Sequence, residues 1–172
     1  MARKTTPIEH GLKLGEVVQA YSRTESLELA ERWLEVYAAR GFGMGSRQYL
    51  WHAFSSGATP ALEGAEALAR YEQQACAQYV ALANDRKTAF LTTTRPTRSL
   101  YQDWFLFPPN LAWTMAFTHE DGWIGPFFAM HPDHARLDAL NRAELARQQA
   151  CAKAQERKER EIDEARKRGW IS

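Results

Sequence analysis

The residues most able to do chemistry lie in the stretch WTMAFTHEDGWIGPFF at positions 113–128, which holds the chain's one His-Glu dipeptide, His119-Glu120. An imidazole with an ordinary pKa of about 6.5 takes up a proton near neutral pH, and a nearby carboxylate can orient it. Adjacent residues on a strand point to opposite faces, so Glu120 reaches His119 only where the turn is irregular. A second imidazole, His52, sits in the segment LWHAF and is expected to meet His119 across a sheet, beneath an aromatic canopy. In this reading His119 is a general base, Glu120 an acid or orienting group and His52 a second polar group. The competing reading makes the histidines hydrogen-bonded residues that fix a loop.

The most metal-like spacing is His131-x-x-His134, which puts two rings on one face of a new helical turn. His119 or Asp133 could complete such a set and leave a position open for water. A short histidine pair alone is a weak signal and HExxH is absent, so neither a metal nor another cofactor is expected. Cys76 and Cys151 are far apart and form no CxxC, and no GxSxG elbow exists. Nucleophilic catalysis therefore has no sequence support.

The elements that must position these residues follow from composition and periodicity. The 172 residues fit one domain, with 45% hydrophobic and 12% aromatic content, enough for a real core. The 22 basic and 21 acidic residues give a net charge of +1, which argues against a broad nucleic-acid footprint. The six Trp, six Tyr and eight Phe could stack bases, but few cations are interleaved with them, so most are assigned to the core. No apolar run approaches the roughly 18 residues of a membrane span, and no secretory signal is visible. A cytoplasmic location is expected.

Residues 1–22 are expected to be poorly ordered, with one short element near 16–21. A helix is expected over 25–40, with an N-cap among Thr24, Glu25 and Ser26 and a terminating Gly41. The glycines at 41, 43 and 45 match no phosphate-binding pattern and read as a connector. The aromatic segment at 47–54 reads as a strand, and 62–74 as a helix. Strands are expected at 79–83, 89–94 and 101–107. A hairpin then joins 111–118 to 123–130, with Asp121-Gly122 as a type I′ turn and Pro126 marking an edge strand or bulge. Pro132 should open a helix. From 153 to 168 the chain is almost all charge, and acid-before-base pairs such as Glu156–Arg160, Asp163–Lys167 and Glu164–Arg168 support a solvated helix. The division expected is a 23–150 domain with a 151–172 helical extension.

Leu50-Trp51-His52 with Phe54-Ser55, then Trp113-Thr114-Met115, Thr118-His119-Glu120 and Gly125-Pro126-Phe127-Phe128 follow one another in a distinctive order. Together they resemble a small bacterial family defined as a domain of unknown function, whose members share an LWH motif and a later WTM…THE…GP pattern. The resemblance spans about residues 45–130. It implies a bacterial, cytosolic protein of α+β fold and transfers no catalytic residue.

The expected architecture is α+β: a mostly antiparallel sheet of about four to six strands packed by helices, with a long charged C-terminal helix. The expected function is non-catalytic protein binding, in the form of an immunity-type protein that masks a cognate bacterial toxin. Trp104, Trp123, Arg157, Arg160 and Arg166 are the candidate contact residues, since Trp and Arg dominate interface anchors. The alternative is a small cytosolic enzyme using His119 and Glu120. Self-association through the terminal helix is a third reading.

Overall fold

The computed structural model describes residues 17–39, 49–96, 103–120 and 123–170. In chain order the elements are β1 (Val17–Ala20), α1 (Arg23–Tyr37), α2 (His52–Ser55), β2 (Leu62–Glu63), α3 (Gly64–Glu72), β3 (Tyr79–Ala83), β4 (Ala89–Thr92), β5 (Trp104–Phe107), β6 (Trp113–Phe117), β7 (Phe127–Met130) and α4 (His134–Lys167). The strands form one seven-stranded sheet in the order β1-β4-β3-β5-β6-β7-β2, antiparallel at every pairing. The fold is therefore α+β with a long C-terminal helix, as the sequence implies. The strand count exceeds expectation because β1 and the two-residue β2 add to the edges.

Every residue of β3, β4 and β5 is buried, so both sheet faces are covered. On the first face Trp33 and Tyr37 of α1 pack with Leu50, Trp51, Ala53 and Phe54 against Val80, Phe105 and Ala116. Trp33 Nε1 donates to Thr114 Oγ1 at 2.9 Å and the Tyr37 hydroxyl to the Leu111 carbonyl at 2.6 Å, which satisfies the polar tips of two buried rings. On the second face Ala67 and Tyr71 of α3, with Leu137 of α4, cover Trp104, Trp113, Met115 and Phe128. Side chains alternate along β6: Trp113 and Met115 face this second core, while Ala116 faces the first.

Several expectations are corrected. The segment expected as a strand at 47–54 is, where described, a turn at Leu50 and Trp51 followed by α2. Local bonds decide this, with Ala53 N donating to the Leu50 carbonyl and Phe54 N to that of Trp51. The cap of α1 is Ser22, and Glu25 completes a capping box as the third helical residue. The helix expected at 62–74 begins only at Gly64, since Leu62 and Glu63 pair with Phe128 and Phe127. The helix after Pro132 starts at His134. The β6–β7 connection runs from Thr118 to Pro126, longer than a two-residue turn, and Pro126 stands just before β7, which is paired on both sides. Asp121-Gly122, the glycines at 41, 43 and 45, and the positions expected to open the strand at 101 and 102 lie outside the described residues. On the distal part of α4 the recorded ion pair is Arg157–Glu161 at 3.6 Å, and Arg160 Nε donates to the Glu156 backbone oxygen rather than to its carboxylate.

Burial raises several acids of this fold, and three of them most strongly. The Tyr37 and Tyr71 phenols are held well above their ordinary range, and the Cys76 thiol is pushed up to about 12. The folded chain thus keeps protons that an unfolded chain has already lost, so stability must fall as pH rises. The urea midpoint should be steady up to about pH 8.5, where an unfolded thiol begins to ionise. It should then decline progressively toward pH 12, with the lower part of that slope reduced in Cys76→Ala. A midpoint flat across this window would contradict the burial of all three.

Candidate functional site

Asp103 stands at the entrance to β5, a strand paired on both sides, so the sheet fixes its position. Its side chain is only 11% exposed. Oδ1 accepts from Trp51 Nε1 at 2.9 Å and from the His119 backbone N–H at 3.2 Å. The His119 ring Nδ1 lies 3.0 Å from Oδ1 and 3.1 Å from Oδ2. A carboxylate only accepts, so this contact places the proton of the neutral imidazole on Nδ1 and leaves Nε2 with its lone pair. Nε2 faces Glu120 Oε1 at 3.7 Å, an electrostatic neighbour beyond hydrogen-bond length. His119 is thus oriented by one carboxylate and approached by a second.

The two imidazoles expected to meet instead flank shared rings, Tyr49 and Trp51. Tyr49 lies 5.0 Å from His119 and 5.8 Å from His52, and Trp51 stacks on His52 at 4.2 Å. His52 sits on α2 rather than on a strand, so the cluster forms at the end of the sheet and not across it. Asn84 closes the arrangement from the β3–β4 turn: its backbone N–H donates to the Asp103 carbonyl at 3.2 Å and its Oδ1 accepts from Leu50 N at 2.9 Å.

His119 and Glu120 open the loop between β6 and β7, and that loop is tied down at several points. Trp123 N and Ile124 N both donate to the Glu120 carbonyl, at 2.8 and 3.1 Å, and the Thr118 hydroxyl donates to the Ile124 carbonyl at 2.5 Å. Gly125 N donates to Glu63 Oε1 at 2.9 Å, which fastens the loop to the sheet edge. Gly125 has φ +80°, and a Cβ there would come within 3.0 Å of Thr118 Cγ2, so this position suits glycine on two counts. Trp123 projects from the loop with 92% of its surface exposed.

The other candidates are scattered. Trp104 is 1% exposed and packs edge-on against Phe90, so its ring belongs to the second core and offers no surface to a partner. Arg157 and Arg160 lie exposed along one side of α4 beside Lys153 and Glu156, while Arg166 lies in the last helical turn. His131 Nδ1 accepts from Asp133 N at 2.9 Å, and no group of three metal-ligating side chains converges among the described residues. No helix there is long and apolar enough to cross a membrane. Asp103, Tyr49, Asn84 and Glu63 were missed by the sequence reading. Only Asp103 carried a signal, as a lone carboxylate leading into the apolar run WFLF.

A family model described as Domain of unknown function (DUF4275) matches residues 30–128, more than half of the chain. The chain belongs to this family. Neither a curated protein nor a solved structure matches it. The DUF4275 region contains Tyr49, Trp51, His52, Asp103, His119, Glu120 and Trp123, and α4 begins beyond its end. The whole ring-and-carboxylate cluster is therefore within the family domain.

Replacing Asp103 by Ala strands the Trp51 indole N–H and the His119 backbone N–H together. The loss should be about 1–3 kcal/mol of unfolding free energy in urea, the usual cost of leaving a buried donor, here the Trp51 indole, unpaired. Amide exchange over 118–126 should quicken in the same variant. Unchanged exchange there would show that Asp103 does not hold the loop.

Proposed function

We propose that this chain is a non-catalytic protein-binding module whose contact surface is the 118–126 loop beside the Asp103–His119 pair. The observation that carries the reading is Trp123. Trp33, Trp51, Trp104 and Trp113 are buried, yet Trp123 stands 92% exposed on a loop held by bonds from Glu120, Thr118 and Glu63. A large ring held out by a tethered backbone is presented at low ordering cost, which is what an interface anchor requires. The exposed arginines of α4, Arg157, Arg160 and Arg166, stand on a separate element away from this loop and are assigned only to electrostatic steering of approach. The proposed partner is a cognate bacterial toxin neutralised by masking in the cytoplasm; the resemblance to a bacterial family supports this form.

The test is capture from a lysate of the source bacterium with the full-length chain as bait, followed by mass identification. One stoichiometric partner should survive high salt and bind Trp123→Ala at least about tenfold more weakly, a loss in the range expected for an anchor residue. The variant's thermal midpoint should not move, because the ring touches little of its own chain. A partner held equally by Trp123→Ala would sink the assignment, and a partner that is no toxin would remove the immunity form.

One observation favours a second reading as a small enzyme. Asp103 fixes the ring of His119 and leaves Nε2 able to accept a proton beside Glu120, as a general base requires. A turnover abolished by His119→Gln and untouched by Trp123→Ala would replace the binding reading.

A further inference from the structure

The loop that carries Trp123 lies in a stretch of chain without cations. From Ser99 to Ala135 the sequence holds no Lys or Arg, although the whole chain has 22 of them, and the same span holds Asp103, Glu120, Asp121 and Asp133. The carboxylates around the loop are met by dipoles. Asp103 accepts from the Trp51 indole, from the His119 backbone N–H and from the His119 ring. Glu63 Oε1 accepts from Gly125 N, and Glu120, 40% exposed, has the His119 ring at 3.7 Å. The ion pairs of Arg recorded among the described residues all lie on α4 and its cap, at Asp133–Arg136, Asp138–Arg142, Glu144–Arg147 and Arg157–Glu161. Arg86 and Lys87 share the β3–β4 turn with Asp85, whose carboxylate takes the Lys87 and Thr88 backbone N–H groups. Bonds from neutral donors solvate a charge without cancelling it, so the field of the loop carboxylates extends into solvent.

Trp123 supplies an independent observation. Its backbone N–H donates to the Glu120 carbonyl at 2.8 Å, so the exposed indole and the Glu120 carboxylate leave the same backbone turn. Tyr49 lies 5.0 Å from His119 and brings a further ring to these carboxylates. The face of an aromatic ring is electrostatically negative, so ring and carboxylate attract the same kind of group. An anion is repelled by both. A guanidinium answers both best: planar, weakly hydrated and always charged, it stacks on an indole while it donates to a carboxylate. An ammonium is compact and keeps its water. The pairing already occurs within this chain, where Arg168 covers the Trp170 ring at 5.1 Å.

We propose that the protein partner taken up by this loop presents an arginine-bearing face, with one guanidinium set against Trp123 and paired to Glu120. The proposal rests on the reading of the loop as a contact surface and adds the chemistry of what it contacts. It also explains what α4 steers: Arg166 and Lys167 in its last turn repel such a face, so the partner arrives at the loop and not along the helix.

The test is an NMR titration of the nitrogen-15-labelled full chain with hexa-arginine amide, hexa-lysine amide and hexa-glutamate, read at the Trp123 indole N–H and the amides of 118–126. Hexa-arginine should shift these signals saturably, at lower concentration than hexa-lysine, and less as salt is raised. Hexa-glutamate should leave them in place. Glu120→Gln and Trp123→Ala should each weaken the hexa-arginine response about twofold to fivefold, the scale of one exposed ion pair or one cation–π contact. Both variants should keep the remaining amide spectrum, since both side chains are exposed. Equal shifts from hexa-glutamate, or hexa-arginine shifts confined to Glu28, Glu31 and Glu35 of α1, would overturn the proposal. Loop signals that move with protein concentration alone would put the basic α4 of a second copy there and defeat the foreign partner. The two readings fail separately. A captured partner that Trp123→Ala loses and Glu120→Lys binds unchanged removes the guanidinium and keeps the contact surface; one held equally by Trp123→Ala removes the contact surface itself.

Discussion

Much of this molecule's distinctive surface depends on the carboxylate of Asp103. One side chain, nearly shut from water, draws together a tryptophan 52 residues earlier and a histidine 16 residues later. A charge held at that depth must be matched by donors, and bonds to an ionised acceptor are the stronger kind. Because β5 is paired on both sides, the carboxylate is placed by the stiffest part of the sheet, and what it holds inherits that placement. The LWH segment and the β6–β7 loop have no strand pairing with each other. Asp103 supplies the link between them.

The sheet supports this by being covered on both faces. Trp33 meets Phe54 and Phe105 in edge-on contacts, and Trp113 stacks on Phe128 across the other face, so most of the aromatic content is consumed in two cores. Such contacts are directional as well as apolar, which limits how far a ring can move. Against that background Trp123 and Trp170 stand apart as exposed indoles, at 92% and 72%. The ring of Trp170 is partly accounted for by the Arg168 guanidinium 5.1 Å above it at the end of α4. Trp123 has no such neighbour among the described residues.

The parts of the fold legible in the sequence are those set by short-range pattern. β3 occupies the expected span because an unbroken apolar run suits a strand buried on both faces. The segment around Trp51 misleads because aromatic residues favour strands only where a pleated, half-buried surface awaits them. Here Leu50, Trp51, Ala53 and Phe54 all enter one core, which a strand's alternation forbids and a turn with one helical turn permits. At the site, His52, His119 and Glu120 are visible as types, but their orienting carboxylate is not. Nothing local marks Asp103 as the partner of two residues so distant in the chain. β2 is hidden for another reason: two residues are too few to show any period.

α4 obeys different rules from the rest of the chain. It runs for 34 residues, about 50 Å at the usual rise per residue, yet only Leu137 and Asp138 along it are buried. A helix polar nearly all round draws support from its own side chains, and such pairs are present at Asp138–Arg142, Glu144–Arg147 and Arg157–Glu161. Its base is held by Asn110 Nδ2 donating to the Leu137 carbonyl and by His131 N donating to the Ala112 carbonyl. These anchors sit where β6 begins and β7 ends, whereas the loop bearing His119 and Trp123 sits where β6 ends and β7 begins. The base of the helix and the loop therefore occupy opposite ends of one strand pair. A change that loosens the base of α4 need not disturb the Asp103–His119 pair, and the family domain can carry its ring cluster whatever follows β7.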